Sequence, residues 1–388
     1  MEFIYPMTKI IFGDGSSTTI GAVLEGYRAE NVLCIYDKGV KEAGIVDPIV
    51  EAMQVAGYRV IEWNGAQVSV PYSTVKEATK IAADEHIDTM VAIGGGSAMD
   101  TGKAVNVALT QPGEFERYVG TLDAGLLDGT LMKPYICIPT TAGTGSEVSN
   151  VAVVYDEEEG VKKALPQPEI TPTAAIIDPL LHVNMPPSLT ASTGLDALAH
   201  AIEGIGGIRR NPMMTSWGMT VCELVFTYLP RAMADGNDLE AREHMAMAAT
   251  FGILVGSYAG FHLGHALGHS IEAVTHVPHG ITCAFALPEV CEWYADEIPH
   301  ETKKMAAMLG VDVEGRPIAD VGKDFKQALR KFYLDLGCPK TDTVIPDRSG
   351  MDRIIELALG EYTYITATKR PSRAQLTEIL EAACESLS

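Results

Sequence analysis

From residue 31 to residue 138, short runs rich in β-branched residues alternate with stretches of helical period, and this rhythm leaves very few folds open. Residues 31–36 (NVLCIY) read as a buried strand, 46–56 as a helix, 58–63 (YRVIEW) as a strand and 73–86 as a helix. A strand at 88–93 (DTMVAI) runs into Gly94-Gly95-Gly96-Ser97, a helix follows from about residue 99, and 135–138 (YICI) is again a strand. Strand, helix, strand in this order builds right-handed βαβ units, because a helical crossover is the short way to bring the next strand in parallel. The first half is therefore expected to be a parallel sheet with helices.

After Pro186-Pro187 the texture changes. Residues 188–260 are dense in Ala, Met and Leu at three- and four-residue spacings, and helical period returns at 300–310, 319–336 and 373–386. A chain of 388 residues also exceeds the size at which single cores stop growing. The expected organisation is an α/β domain over 1–184 and an all-helical domain over 185–388. No internal repeat is visible, which excludes a solenoid.

With 29 Lys plus Arg against 51 Asp plus Glu, the formal charge is -22. Such a field repels nucleic acid and anionic membrane surfaces, so neither is expected as a partner. The seven cysteines (Cys34, Cys137, Cys222, Cys283, Cys291, Cys338, Cys384) are odd in number and never spaced C-x-x-C, which argues against a disulfide framework and a zinc ribbon. The opening MEFIYPMTKI has no secretory pattern, and no uncharged apolar stretch is long enough to span a bilayer. A cytoplasmic location is expected.

Three segments of the first half could hold a polar ligand. Gly94-Gly95-Gly96-Ser97 follows a strand and opens a helix, where free N–H groups and the helix dipole favour an anion such as a pyrophosphate. Asp37, at the carboxyl end of a strand, could accept from a ribose 2′-hydroxyl and would repel a 2′-phosphate, favouring NAD over NADP. Pro139-Thr140-Thr141-Ala142-Gly143-Thr144-Gly145-Ser146-Glu147 has the small and hydroxyl residues of a loop that wraps a ligand. Taken singly, each also has a reading as an ordinary turn, which for Asp37 is the better one.

The second half carries a sharper signal. Asp196 and His200 are four residues apart in a strongly helical stretch, so they share a face about 6 Å apart at the backbone. Within 262–279 stand His262, His265, His269, His276 and His279, half of the chain's ten histidines. A carboxylate and three imidazoles converging on one point suit Fe(II), Zn(II) or a similar divalent ion.

From Ile10-Ile11-Phe12-Gly13 through GGGSAMDTGK and PTTAGTGSE to LDALAHAIE and HALGH…VPHG, the chain resembles the iron-dependent alcohol dehydrogenase family, whose fold is shared with dehydroquinate synthase and glycerol dehydrogenase. The resemblance implies a Rossmann-like α/β dinucleotide-binding domain followed by an all-α metal-binding domain. It also implies one divalent ion, Fe(II) ahead of Zn(II), held by Asp196, His200, His265 and His279. His269 corresponds to a histidine implicated in proton relay. Binding of NAD(H) falls to Asp37, Gly94, Gly95, Gly96, Ser97, Asp100, Thr140, Thr141, Thr144 and Lys162, with Lys103 in the helix behind the glycines. The implied activity is transfer of hydride between NAD(H) and a small primary alcohol or aldehyde, with an anionic substrate group suggested by Arg209-Arg210. A homo-oligomer, dimer or larger, is also implied. Ser270, Ile271-Glu272, His262 and His276 depart from the family pattern. The alternatives are a dehydroquinate-synthase-like or NAD-retaining transhydrogenase reaction on the same scaffold and, from another class, a non-enzymatic nucleotide or metal sensor.

Overall fold

The computed structural model of the chain describes residues 8–121, 126–337, 344–345 and 348–386; the opening seven residues and Cys338 lie outside these. The chain divides into two compact units, one of residues 1–141 and 145–185, the other of 142–144 and 186–388.

The first unit contains strands β1 (Lys9–Phe12), β2 (Asn31–Ile35), β3 (Arg59–Trp63), β4 (Thr89–Gly94), β5 (Tyr135–Pro139), β6 (Val151–Asp156), β7 (Val161–Pro166) and β8 (Ala174–Ile177). Helices α1 (Ile20–Glu25), α2 (Lys38–Glu42), α3 (Val46–Val55), α4 (Tyr72–Asp84) and α5 (Gly96–Thr110) lie between them. Six strands form one parallel sheet in the order β1-β8-β5-β4-β2-β3, and β6 and β7 form a separate antiparallel hairpin. Along β2, Leu33 and Ile35 enter one core while Val32 and Cys34 enter another; β4 and β5 alternate in the same way. A sheet buried on both faces explains why these strands read as unbroken apolar runs.

The sequence expectation misses β1, β8 and the hairpin. β1 and β8 are only four residues long, and β6 and β7 alternate in burial around an exposed acidic turn, which is a weaker hydropathy signal than a buried run. Helix α5 also starts at Gly96, ahead of the expected residue 99, because two of the three glycines lie outside it and the third is its first residue.

The second unit contains α6 (Pro187–Gly206), α7 (Pro212–Ala234), α8 (Leu239–Ala259), α9 (Leu263–Thr275), α10 (His279–Phe285), α11 (Leu287–Tyr294), α12 (Pro299–Met308) and α13 (Ile318–Asp335). It ends with α14 (Met351–Gly360), α15 (Tyr362–Ile365) and α16 (Arg373–Ser386). Every residue of α6 from Thr190 to Gly206 is buried, so this helix is a core element. One core joins α6, α7, α8 and α13, and a second joins α9, α11, α14 and α16. Helices α6 and α8 meet through glycine: a Cβ on Gly204 would sit 2.5 Å from Val255 Cγ1 and 2.9 Å from its carbonyl oxygen.

This close approach makes a test of the packing. Gly204→Ala should destabilise the protein by about 1–3 kcal/mol through overpacking. Gly360→Ala, at a helical position with open space around it, should be neutral or stabilise by up to about 1 kcal/mol. Urea midpoints of the two variants should move apart; equal shifts would refute the packing argument.

Candidate metal centre

Three ionisable residues, Asp196, His200 and Glu203, interrupt the buried length of α6 at spacings of four and three, so they form one stripe. A polar stripe inside a core needs partners, since desolvation without them costs several kcal/mol in total. Glu203, fully buried, finds them on α9: Oε2 accepts from the backbone N–H groups of His262 (2.7 Å) and His265 (3.2 Å), and Oε1 lies 2.7 Å from His265 Nδ1. The carboxylate thus caps the first turn of α9, whose N-cap residue His262 supplies no side-chain cap. Gly264 leaves room for it, because a Cβ there would lie 2.3 Å from Oε1.

The consequence falls on His265. With Nδ1–H donating to Glu203, the lone pair resides on Nε2, and that buried atom has no hydrogen-bond partner. Asp196 Oδ1 is likewise buried and unpartnered. Around it stand His200 Nε2 at 3.5 Å and His279 Nε2 at 3.7 Å. The His265 ring lies 5.0 Å from that of His200 and 5.7 Å from that of His279, and Phe261 packs on His265 at 4.4 Å. Two donors each ~2.1 Å from a tetrahedral ion lie ~3.4 Å apart, so these separations fit a small divalent cation. Orphaned buried donors pointing inward are what such an ion would satisfy.

Local structure sets His279 as well. His276, in left-handed backbone (φ 57°), ends α9, and extended Pro278 begins α10, which puts His279 on a fresh first turn. Its Nδ1 lies 3.2 Å from Glu272 Oε2. His269, one turn beyond His265, stacks on His279 at 5.2 Å and turns Nδ1 toward Glu361 Oε2 at 3.6 Å.

Burial works to raise the Asp196 pKa, yet the surrounding imidazoles, His200 foremost, hold it below the usual carboxylate range. Burial lowers the pKa of His200, and lowers that of His265 strongly, keeping both rings neutral and able to donate lone pairs. For His279, burial opposes the charge but Cys283, Asp196 and Glu272 outweigh it, leaving the pKa well above that of a free imidazole.

Of the four residues expected as ligands, Asp196, His265 and His279 offer donor atoms within 4.8 Å of one another, and His200 Nε2 stands 3.5 Å from Asp196 Oδ1. His262 instead stacks on Tyr294 at 4.2 Å, and burial depresses its pKa to about 4. His276 serves as a helix end. Arg209, exposed, donates to Ser257 O near the C-terminal end of α8, where a cation is favoured. Ser270 bonds back to Ala266 O within α9.

The sequence reading gave no role to Glu203, Cys283 or Glu361, and left Glu272 as a mere departure from the family pattern. The stripe spacing from Asp196 could have revealed Glu203; Glu361 carries no signal, being distant in sequence from its histidine.

In the α/β unit, chain direction across the sheet reverses between β2 and β4, and ligands of such sheets bind outside the carboxyl ends of the strands at that switch point. Asp37 follows β2, Gly94 ends β4, and Gly95 and Gly96 follow it. A Cβ on Gly94 (φ +156°) would meet Ala98 at 2.7 Å and lie 3.7 Å from Asp37 Oδ2. Asp37 Oδ1 accepts from Val40 N and caps α2. Helix α5 has no side-chain cap, so its N-terminus at Gly96 and Ser97 presents N–H groups to an anion. Thr140 N donates to Gly94 O, and Thr141 lies beside Gly95.

Asp100 has both carboxylate oxygens engaged within the protein, by Ser146 Oγ at 2.6 Å and by Val153 N at 2.9 Å. Buried Lys103 bonds Ser146, Ser149 and Val151 O. Lys162 is exposed on β7, opposite Tyr155. Thr144 belongs to the short segment that groups with the helical unit.

Residues 7–179 match the family described as iron-containing alcohol dehydrogenase, and residues 190–384 match the Fe-containing alcohol dehydrogenase family, C-terminal. The choline dehydrogenase of Bacillus subtilis (strain 168) is 35% identical over 344 residues, 88% of this chain and 85% of that protein. The NAD-dependent methanol dehydrogenase of Bacillus methanolicus is 32% identical over 338 residues, 87% of each. The crystal structure of a 1,3-propanediol oxidoreductase matches with a TM-score of 0.94 at 27% identity, covering 99% of this chain and 100% of that one.

Two outcomes follow from the geometry. Glu203→Ala should weaken divalent-ion affinity by about 10–100-fold and Glu203→Gln, which still accepts from Nδ1, by less; equal affinities by competition titration would remove the orienting role. Because the His279 pKa is raised, protonation of its ring competes with an incoming ion. Affinity should therefore fall as pH is lowered, with proton release on binding. Calorimetry in buffers of different ionisation enthalpy checks the sign, and an affinity that does not vary with pH would contradict it.

Proposed function

The chain belongs to the iron-containing alcohol dehydrogenase family, and on that premise we propose that it interconverts a small primary alcohol and its aldehyde with NAD(H), using one divalent ion held by Asp196, His200, His265 and His279. The ion is proposed to be Fe(II), with Zn(II) as the second choice. The observation that carries the reading is the buried pair of donors without hydrogen-bond partners, Asp196 Oδ1 and His265 Nε2, with His200 and His265 held neutral by burial.

When bound, the ion supplies a Lewis acid that polarises a carbonyl or eases loss of an alcohol proton, and the nicotinamide supplies the hydride donor or acceptor. The chain's own residues do the rest. Asp196 contributes the negative charge of the ligand set, and Glu203 holds His265 in the tautomer that donates from Nε2. Glu272 steadies His279 through Nδ1.

His269 is assigned to proton exchange. Glu361 faces its Nδ1, which leaves Nε2 to take or give the proton of the reacting hydroxyl group. On the dinucleotide side, Gly94, Gly95, Gly96 and Ser97 offer backbone N–H groups to the pyrophosphate. Asp37 is assigned to the ribose hydroxyls, with Thr140, Thr141, Thr144 and Lys162 around the remainder of the cofactor. Asp100, whose oxygens are taken up by Ser146 and Val153, acts by holding the loop after β5 in place.

We assign a cytoplasmic homo-oligomer to the working protein. In support, β1 is an edge strand with Ile10 and Phe12 exposed at 41% and 39%, the kind of edge another chain can cover. Among the described residues no single helix is long and apolar enough to cross a membrane.

NADH oxidation with a panel of short aldehydes, some carrying an anionic group, tests the activity; inactivity of the metal-loaded protein on every member would end the proposal. His269→Ala should retain its ion but lose about 10²–10⁴-fold in kcat, with a changed pH profile. Unchanged turnover and profile would remove His269 from the mechanism.

A further inference from the structure

We propose that Cys283 is a sulfur ligand of the same ion, so that the centre combines oxygen, nitrogen and sulfur donors; the inference rests on the metal reading above. Cys283 Sγ belongs to a group with one donor atom each from Asp196, His265 and His279, all within 4.8 Å of one another. The sulfur lies 3.5 Å from His279 Nε2. With the four donors above, sulfur makes the ion five-coordinate; a sulfur at ~2.3 Å and a nitrogen at ~2.1 Å subtending about 90–120° at the ion would be ~3.1–3.8 Å apart, a range that contains that separation.

Local structure brings the thiol there. Cys283 stands four residues after His279 on α10, hence on the same helix face. Across from it, α9 omits a side chain: a Cβ on Gly268 would lie 2.6 Å from Cys283 Sγ. An independent observation points at a ligand, since Asp196 Oδ1 and His265 Nε2, on side chains each 3% exposed, lack partners within the same group. Among the described residues no other cysteine belongs to a comparable cluster.

A coordinated cation deprotonates a thiol outright. The step is balanced without redox change: the S–H bond breaks, a sulfur–metal bond forms, and the proton leaves to solvent. A thiolate also tilts the site toward Zn(II), Co(II) or Fe(II) and away from Mn(II) or Mg(II).

The test uses Co(II) bound to the otherwise wild-type protein. A near-ultraviolet thiolate-to-cobalt charge-transfer band is expected, lost in both Cys283→Ser and Cys283→Ala, while the visible d–d bands survive on the oxygen and nitrogen donors. X-ray absorption of the wild-type Zn(II) form, which needs no variant, should show sulfur at ~2.3 Å. Cobalt bound with no charge-transfer band, or Zn(II) with no sulfur neighbour, overturns the sulfur ligand and leaves the metal reading standing. Failure to bind either ion overturns both.

Discussion

Everything in the helical unit turns on a carboxylate that water cannot reach. Glu203 sits inside a helix buried on all sides, and its oxygens are met by two backbone N–H groups and one imidazole of α9. A buried carboxylate must be hydrogen-bonded, so the contact holds α9 in one register against α6. With that register set, His265 cannot choose its tautomer, and its Nε2 is pointed at Asp196 and the other rings. The same carboxylate therefore closes a helix end and prepares a metal ligand.

Two acidic side chains, Asp196 and Glu203, are buried within two helical turns, and burying negative charge is expensive unless opposite charge is close by. Neutral His200 and His265 offer little of it, and His279, 3.7 Å from Asp196, offers it only to one of the two acids. A divalent cation among Asp196 and the imidazoles supplies it, which links the energetics of the fold to the chemistry proposed for it. The metal would then act as a structural element as well as a reagent.

The α/β unit solves a different problem with different means. Its sheet is buried on both faces, so polar work is confined to strand ends and to the start of α5. Gly94 takes a backbone conformation that a side chain would obstruct, and Lys103 and Asp100, tied to Ser146, Ser149 and the strand after them, hold the neighbouring loop. A half-buried helix N-terminus with no side-chain cap is then left able to receive an anion.

Much of this was legible in the chain itself. Unbroken apolar strands, the glycine turn, the Asp196–His200 spacing and the histidine-rich segment are local patterns, set by helix and strand period, and they sufficed for the architecture and for singling out the four residues proposed as ligands. Short β1 and β8, the alternating hairpin and the roles of Asp100, Glu203, Glu272, Cys283 and Glu361 were not legible. Each of these depends on which residue of a different element comes to lie opposite, as Glu361 does for His269, Gly268 for Cys283 and Ser146 for Asp100. Periodicity tells which face a residue occupies; only packing between elements decides what that face meets, and hence whether a buried acid caps a helix, orients a ligand or binds an ion.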